Sequence, residues 1–298
     1  MKYHTPVLLT EAIDGLMIDP MGVYVDATYG GGGHAKAILK ELRVGGTLYG
    51  FDCDADAKKN RIENASFQLV PANFKYIENF LNHDDIYQVD GILADFGVSS
   101  YQIDTSNRGF SFMKDGPLDM RMNQNATLTA KQVINHYHVE QLSQILYRYG
   151  QIKNASKIAQ AIVLCRKDDS IDTTFELRQV LSKCIPKVKE YQTLAKIFQA
   201  IRIEVNQELE AIKSFLKQCA NLLKPKGRMV CISYHSLEDR LVKFFIQTGT
   251  FTNQPIKDFY GNIIRPLNQV GKLVRPSQEE ITINPKARSA RLRIAEKR

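Results

Sequence analysis

The stretch Val23-Tyr-Val-Asp-Ala-Thr-Tyr-Gly-Gly-Gly-Gly-His34 constrains this chain more than any other. A short apolar run ending in an acid reads as a strand, and a helical pattern opens near Ala35. Four glycines must turn the chain from one to the other. Residues without side chains let a ligand come close to the backbone, so Gly30 to Gly33 read as a cofactor bed. The helix that follows directs its unpaired N–H groups back at that bed. Nineteen residues after Gly33, Asp52 closes a second strand, Thr47-Leu-Tyr-Gly-Phe-Asp52. An acid at that place grips ribose hydroxyls in dinucleotide-type folds. The plain alternative is a glycine turn with no ligand; strand, glycines, helix and distal acid occurring together speak against it.

Two cofactors compete for the bed. Gly30-x-Gly32-x-x-Ala35 satisfies the loose dinucleotide fingerprint. Asp26 discriminates: a carboxylate at the mouth of the first strand repels a pyrophosphate and attracts the cationic amino-acid end of S-adenosylmethionine. A nicotinamide oxidoreductase is therefore disfavoured. A binding protein that holds S-adenosylmethionine without turnover would have no use for the full set of pocket acids.

The first hundred residues alternate as a parallel sheet requires, with strands expected at 23–28, 47–52, 67–70 and 90–95 and helices at 35–43, 54–62 and 74–82. In an open α/β sheet ligands bind beyond the carboxyl ends of the strands, so Asp26, Asp52 and Asp95 should converge on one rim. After Gln102 the alternation stops. A long loop is followed by helical patterns at 129–137, 139–149, 155–166 and 174–185, as expected of an inserted helical subdomain over 105–195. The sheet domain then comprises 1–104 and 196–298. A long amphipathic stretch over 194–223 reads as core packing, Gly227–Ser233 as a buried strand, and Ser236 as the cap of another helix. Segments 280–283 and 287–294 read as a closing antiparallel hairpin.

No apolar run approaches the ~20 residues that span a bilayer, and the start of the chain lacks the features of a secretory signal. A cytoplasmic protein with no membrane partner is expected. Cys53, Cys165, Cys184, Cys219 and Cys231 form no Cys-x-x-Cys pair, so neither a disulfide framework nor a metal site is expected. The formal charge is +8, and residues 284–298 carry six positive side chains against Glu296 alone, a net +5. Such a run is a solvated strand face or a polyanion contact, and a nucleic-acid-modifying site nearby would favour the second.

Taken together the motifs resemble the bacterial small-subunit ribosomal RNA methyltransferases of the RsmH or MraW family, which act on the exocyclic N4 of a cytosine. The matching pieces are His4-Thr-Pro-Val-Leu-Leu, Asp26–His34, Phe51-Asp52, Asp95-Phe-Gly-Val-Ser-Ser100, Arg108–Arg121, Phe198-Gln-Ala-Ile-Arg202, Val205-Asn206, Ser233–Arg240 and Asn284–Ser289. They run through the whole chain in order. The resemblance implies a doubly wound Rossmann-like methyltransferase sheet with an inserted all-helical subdomain. It implies S-adenosylmethionine as cofactor, held by Gly32, Gly33, His34, Asp52, Phe74, Asp95 and Gln102. It also implies an assembled small ribosomal subunit as substrate, modified near the decoding centre, and leaves a homodimer open. The neighbouring alternative is a methyltransferase of another RNA or of DNA.

Methyl transfer from a sulfonium is an in-line displacement, so alignment is the chief demand. A cytosine amino group is a poor nucleophile, and acceptors on its N–H groups stabilise the charge that develops there. Asp95 reads first as a cofactor ligand, since pocket carboxylates bind ligands more often than they do chemistry, and otherwise as the candidate catalytic acceptor or as a strand-end cap. His235 reads as a base or as a residue that bonds the adjacent backbone. Arg108, Phe110, Phe112, Lys114 and Arg121 interleave cations with aromatics, which suits phosphate contact and base stacking. They also suit a loop that pins the insert onto the main domain, with Phe110 and Phe112 as its anchors.

Overall fold

The computed structural model describes residues 6–298, so His4 and Thr5 of the first motif lie outside the described residues. The chain begins with α1 (Leu9–Leu16), β1 (Val23–Asp26), α2 (Gly33–Glu41), β2 (Thr47–Phe51), β3 (Phe67–Val70), α3 (Ile77–His83) and β4 (Val89–Asp95). Six helices follow with no strand between them: α4 (Ser100–Asp104), α5 (Ala130–His136), α6 (Val139–Arg148), α7 (Ala155–Cys165), α8 (Thr174–Ser182) and α9 (Glu190–Asn206). The chain closes with α10 (Glu208–Leu222), β5 (Leu223–Ser233), α11 (Ser236–Thr248), β6 (Leu267–Val274), α12 (Gln278–Ile283) and β7 (Arg291–Lys297).

Two compact units result. One comprises the described residues up to Gly97 together with Leu209–Arg298, and the other is Val98–Glu208. The inserted subdomain expected at 105–195 lies inside the second.

The first unit is a seven-stranded sheet in the order β3-β2-β1-β4-β5-β7-β6. β1 to β5 pair in parallel, and β7 runs antiparallel to both β5 and β6. Strand order reverses at β1/β4, which is where a doubly wound sheet opens a crevice. Pleating sends alternate residues to opposite faces. Tyr24, Leu48, Leu93, Val230, Ile232 and Leu292 enter one buried cluster with Leu16 and Ile38. Val25, Phe51, Ile92, Ala94, Met229 and Cys231 enter the other with Phe215 and Phe245. Both faces are covered, as near-continuous apolar parallel strands require. The second unit has its own core, in which Phe110, Phe112, Leu118 and Met120 pack with apolar side chains of α5 to α9.

Several expected elements differ. The amphipathic stretch at 194–223 is two helices, because Gln207 takes a left-handed conformation (φ +49°) and ends α9. No glycine or proline marks that break. Ile201 and Val205 therefore serve the helical unit's core, while Ile212 and Leu216 serve the sheet's. Residues 55–60 form a 3-10 turn rather than a full helix. The C-terminal hairpin is built from β6 and β7, not from 280–283 and 287–294. Ser277 caps α12 by accepting the Glu280 amide (3.1 Å), and two acids in its first turn suit a helix start, so 278–283 is helical.

Candidate functional site

The turn from β1 to α2 is stitched to the strand ends on both sides. The Ala27 amide donates to the Leu93 carbonyl (2.8 Å) and the Tyr29 amide to the Phe51 carbonyl (2.9 Å). The Thr28 hydroxyl accepts the Asp95 amide at 2.6 Å. Asp52 Oδ2 accepts the Gly30 amide at 2.8 Å and Oδ1 accepts the Asp54 amide at 2.8 Å. One carboxylate thus clamps the glycine bed to the end of β2, and the Asn60 amide group adds a bond to the Gly30 carbonyl at 3.1 Å. Gly32 is left-handed (φ +72°), and a Cβ there would meet the Tyr29 hydroxyl at 2.8 Å. The backbone cradle exists because no side chain fills it.

The acids gather as the alternation implies. Asp26, at the end of β1, is 1% exposed. Its Oδ1 accepts the Thr28 amide (3.1 Å), and its Oδ2 is buried with no hydrogen-bond partner. Burial pushes its carboxyl up to about 6, against the pull of His34 and of the Thr28 amide. Burial likewise pushes Asp95 to about 7; a hydrogen bond from Tyr234 lowers it and the Glu238 charge raises it. Asp95 Oδ1 is also buried without a partner. Such oxygens are costly unless a donor or cation completes them. His34, in the first turn of α2, sets Nε2 3.1 Å from the Val7 carbonyl, a contact that makes Nε2 the protonated nitrogen. Its Nδ1 lies 4.0 Å from Asp95 Oδ2, and burial lowers its pKa.

Phe74 follows β3 and packs on Phe96 (centroids 5.8 Å) and Phe215 (5.5 Å). Its neighbour Asn73 accepts the Lys75 amide (2.9 Å) and meets the Cys53 thiol. Burial pushes that thiol up to about 12, so Cys53 is no nucleophile. Gly32, Gly33, His34, Asp52 and Asp95 therefore share one carboxyl rim with Asp26, and Phe74 stands at the same rim beyond β3.

His235 also belongs to the sheet unit, where it and not Ser236 is the N-cap of α11. Its Nδ1 accepts the Glu238 amide (3.4 Å), and its Nε2 lies 2.9 Å from Glu238 Oε1. Glu238 reaches back to the Tyr234 amide (2.8 Å) and the His235 amide (3.2 Å), completing a capping box. That is the backbone-bonding alternative for His235. Tyr234, which the sequence did not bring forward, has its ring against left-handed Gly97 (φ +117°), 3.4 Å from where a Cβ would stand. Only its place at the end of β5, beside Asp95, could have singled it out.

The remaining expected residues lie in the helical unit. Gln102 forms a capping box on α4 with Ser99, its amide donating to Ser99 Oγ (3.2 Å) and its Oε1 accepting the Ser99 amide (3.0 Å). Arg108 is 3% exposed, and its guanidinium donates to the carbonyls of Arg121 (2.8 Å) and Met122 (3.2 Å). Arg121 grips Asp119 with two hydrogen bonds (2.9 and 2.6 Å). The Lys114 ammonium donates to the Asp104 carbonyl (2.6 Å). Phe112 packs edge-on against Phe198 (5.4 Å) and Tyr191 (5.0 Å). Phe110 and Phe112 are each 9% exposed, so their rings serve the core and are not surfaces for stacking a base.

The model of the MraW methylase family matches residues 1–298. "Ribosomal RNA small subunit methyltransferase H" of Christiangramia forsetii is 53% identical over 297 residues, covering 100% of this chain and 98% of that protein. The protein of the same name from Flavobacterium johnsoniae is 52% identical, with the same coverage. Among solved structures, an rRNA methylase from Streptococcus thermophilus aligns over 100% of this chain and 98% of its own, at 13% identity and a TM-score of 0.41. No helix among the described residues is long and apolar enough to cross a membrane.

Proposed function

We propose, from the premise that this chain belongs to the MraW methylase family, that it methylates small-subunit ribosomal RNA with S-adenosylmethionine as donor. The acceptor is the exocyclic N4 of a cytosine near the decoding centre of an assembled small subunit. The observation that carries the reading is the carboxylate set around the glycine turn, two members of which keep a buried oxygen without a partner. That set fits a cationic, hydroxyl-rich ligand. Asp26 faces the positive amino-acid end of the donor, and Gly32 and Gly33 admit its backbone-close portion. Asp52, at the end of β2, accepts from the ribose hydroxyls, and Phe74 packs by the adenine. When bound, the donor supplies an electrophilic methyl group on a sulfonium.

Asp95 is the residue for the acceptor amine. Its Oδ1 accepts an N4–H, which raises the electron density on nitrogen and stabilises the charge that builds there. Methylated N4 must then lose a proton. A carboxyl pushed to about 7 can take that proton at neutral pH. His34 stays neutral and orients the rim instead of competing for the proton.

Small-subunit RNA from cells lacking the chain, mapped by mass spectrometry, should show one cytosine short of a single methyl group. Purified chain plus donor should restore it on isolated subunits. An unchanged map would remove the substrate, and restoration at a ring carbon would remove the N4 assignment.

A further inference from the structure

The six positive side chains near the C-terminus do not form one surface. Register separates them. Ser233 at the end of β5 pairs with Arg291 at the start of β7, while Arg228 pairs with Glu296. Because β4 and β5 run parallel, with Asp95 opposite Ile232, β7 begins at the carboxyl rim and leaves it. Arg291 therefore stands at the rim of Asp26 and Asp95, while Lys297 and Arg298 stand at the opposite end of the sheet. Between them Arg293 is buried, its Nε donating to Asp239 Oδ1 at 2.7 Å. Arg291 shares the same carboxylate at 3.0 Å. Lys297 donates to the Ala220 carbonyl.

Other cations arrive at the rim from β6 and from the segment before β7. Val274 pairs with Leu292, so exposed Arg275 follows directly at that end. Lys286 and Arg288 lie in the 3-10 turn Pro285–Ser289, both exposed, with Ala287 and Ala290 anchored in the cluster that holds Leu8 and Ala35. Two bonds tie this module to the cofactor bed. The Leu8 amide donates to Glu280 Oε1 (2.8 Å), and the Val7 carbonyl contacts His34 Nε2 (3.1 Å). Glu280 is thereby turned inward, which leaves Glu279 as the exposed acid of the module.

We propose that Arg275, Lys286 and Arg288 form a phosphate-gripping surface for the acceptor RNA, held at the donor's rim by the Glu280–Leu8 and Val7–His34 contacts. This rests on the substrate reading above. The surface carries no base specificity. It holds the backbone of the strand whose base enters beside Asp95, as cationic side chains on a rigid module do. The positive charge at the opposite end, including Lys257 on the hairpin before β6, takes no part.

The test compares two double variants of equal charge change, Arg275→Gln/Arg288→Gln and Lys257→Gln/Arg298→Gln, on small subunits from cells lacking the chain. The rim pair should raise KM for subunits roughly tenfold, with kcat and calorimetric donor affinity unchanged. It should also lower the slope of log KM against log salt by about 1.4 to 1.8, the share of two phosphate contacts. The distal pair should match the parent. Equal losses in both variants, or an unaltered slope in the rim pair, would overturn the surface. A loss with intact subunits but not in binding of protein-free small-subunit RNA would assign it to an acidic ribosomal protein. If the parent chain itself methylates no subunit, the substrate reading falls first, and the surface with it.

Discussion

Replacing Asp95 with asparagine should make the ligand-free protein less sensitive to alkaline pH. Burial holds this carboxyl at about 7, against about 3.9 in an unfolded chain. An acid whose pKa rises on folding imposes no penalty below its unfolded value. It costs stability as pH climbs, until the folded value is passed. At about 1.4 kcal/mol per pH unit, the ionised group costs about 4 kcal/mol in full, of which about 2.5 kcal/mol accrues between pH 5 and pH 8. That is an upper figure, because the Asp95 side chain remains 22% exposed and water relieves part of the charge. Asp26 is present in both proteins, so its own penalty largely cancels. Asp26 is raised in part by Asp95, and removing that charge lowers it, which adds to the difference in the same direction. In urea unfolding at pH 5 and pH 8 without donor, the parent should lose about 1 to 2.5 kcal/mol more than Asp95→Asn. Parallel losses, or a parent more stable at pH 8, would refute the claim that this rim stores the cost of an uncompensated carboxylate.

Three further outcomes follow from the same geometry. Tyr234→Phe removes the bond that lowers Asp95, so the acidic limb of the kcat–pH profile should move to higher pH while the donor dissociation constant holds. Asp52→Ala strips the Gly30 and Asp54 amides of their acceptor and should weaken donor binding by about 1–3 kcal/mol in calorimetry. Phe112→Ala hollows the helical unit's core and should cost about 3–5 kcal/mol of that unit's stability, read by hydrogen exchange of α9 amides.

The sheet was legible where pattern and turn chemistry agree. Val23–Asp26 and Val89–Asp95 are apolar runs ended by acids, and the glycines between β1 and α2 leave no other path. The end of α9 was not legible, because Gln207 adopts a left-handed conformation without any residue that favours it. β6 was missed because Leu267-Asn-Gln-Val-Gly-Lys-Leu-Val274 alternates imperfectly around a register shift after Val270. In the site, the three acids could be read from their strand ends. Tyr234 and Thr28 could not, since their part depends on which strands are neighbours. Phe110 and Phe112 illustrate the reverse difficulty. Aromatics interleaved with arginines look the same in sequence whether they stack on bases or fill a core, and only burial separates the two.

The insertion of a whole helical unit between β4 and β5 also bears on how the chain is made. Asp95 and Leu223 stand 128 positions apart, so at about 5–20 residues per second a ribosome needs about 6 to 26 s to deliver the partner of β4. Through that interval β4 has only β1 beside it, and its other edge is a bare row of amides and carbonyls on an apolar ribbon. The nascent half-sheet is then open to sticking to its neighbours on a polysome.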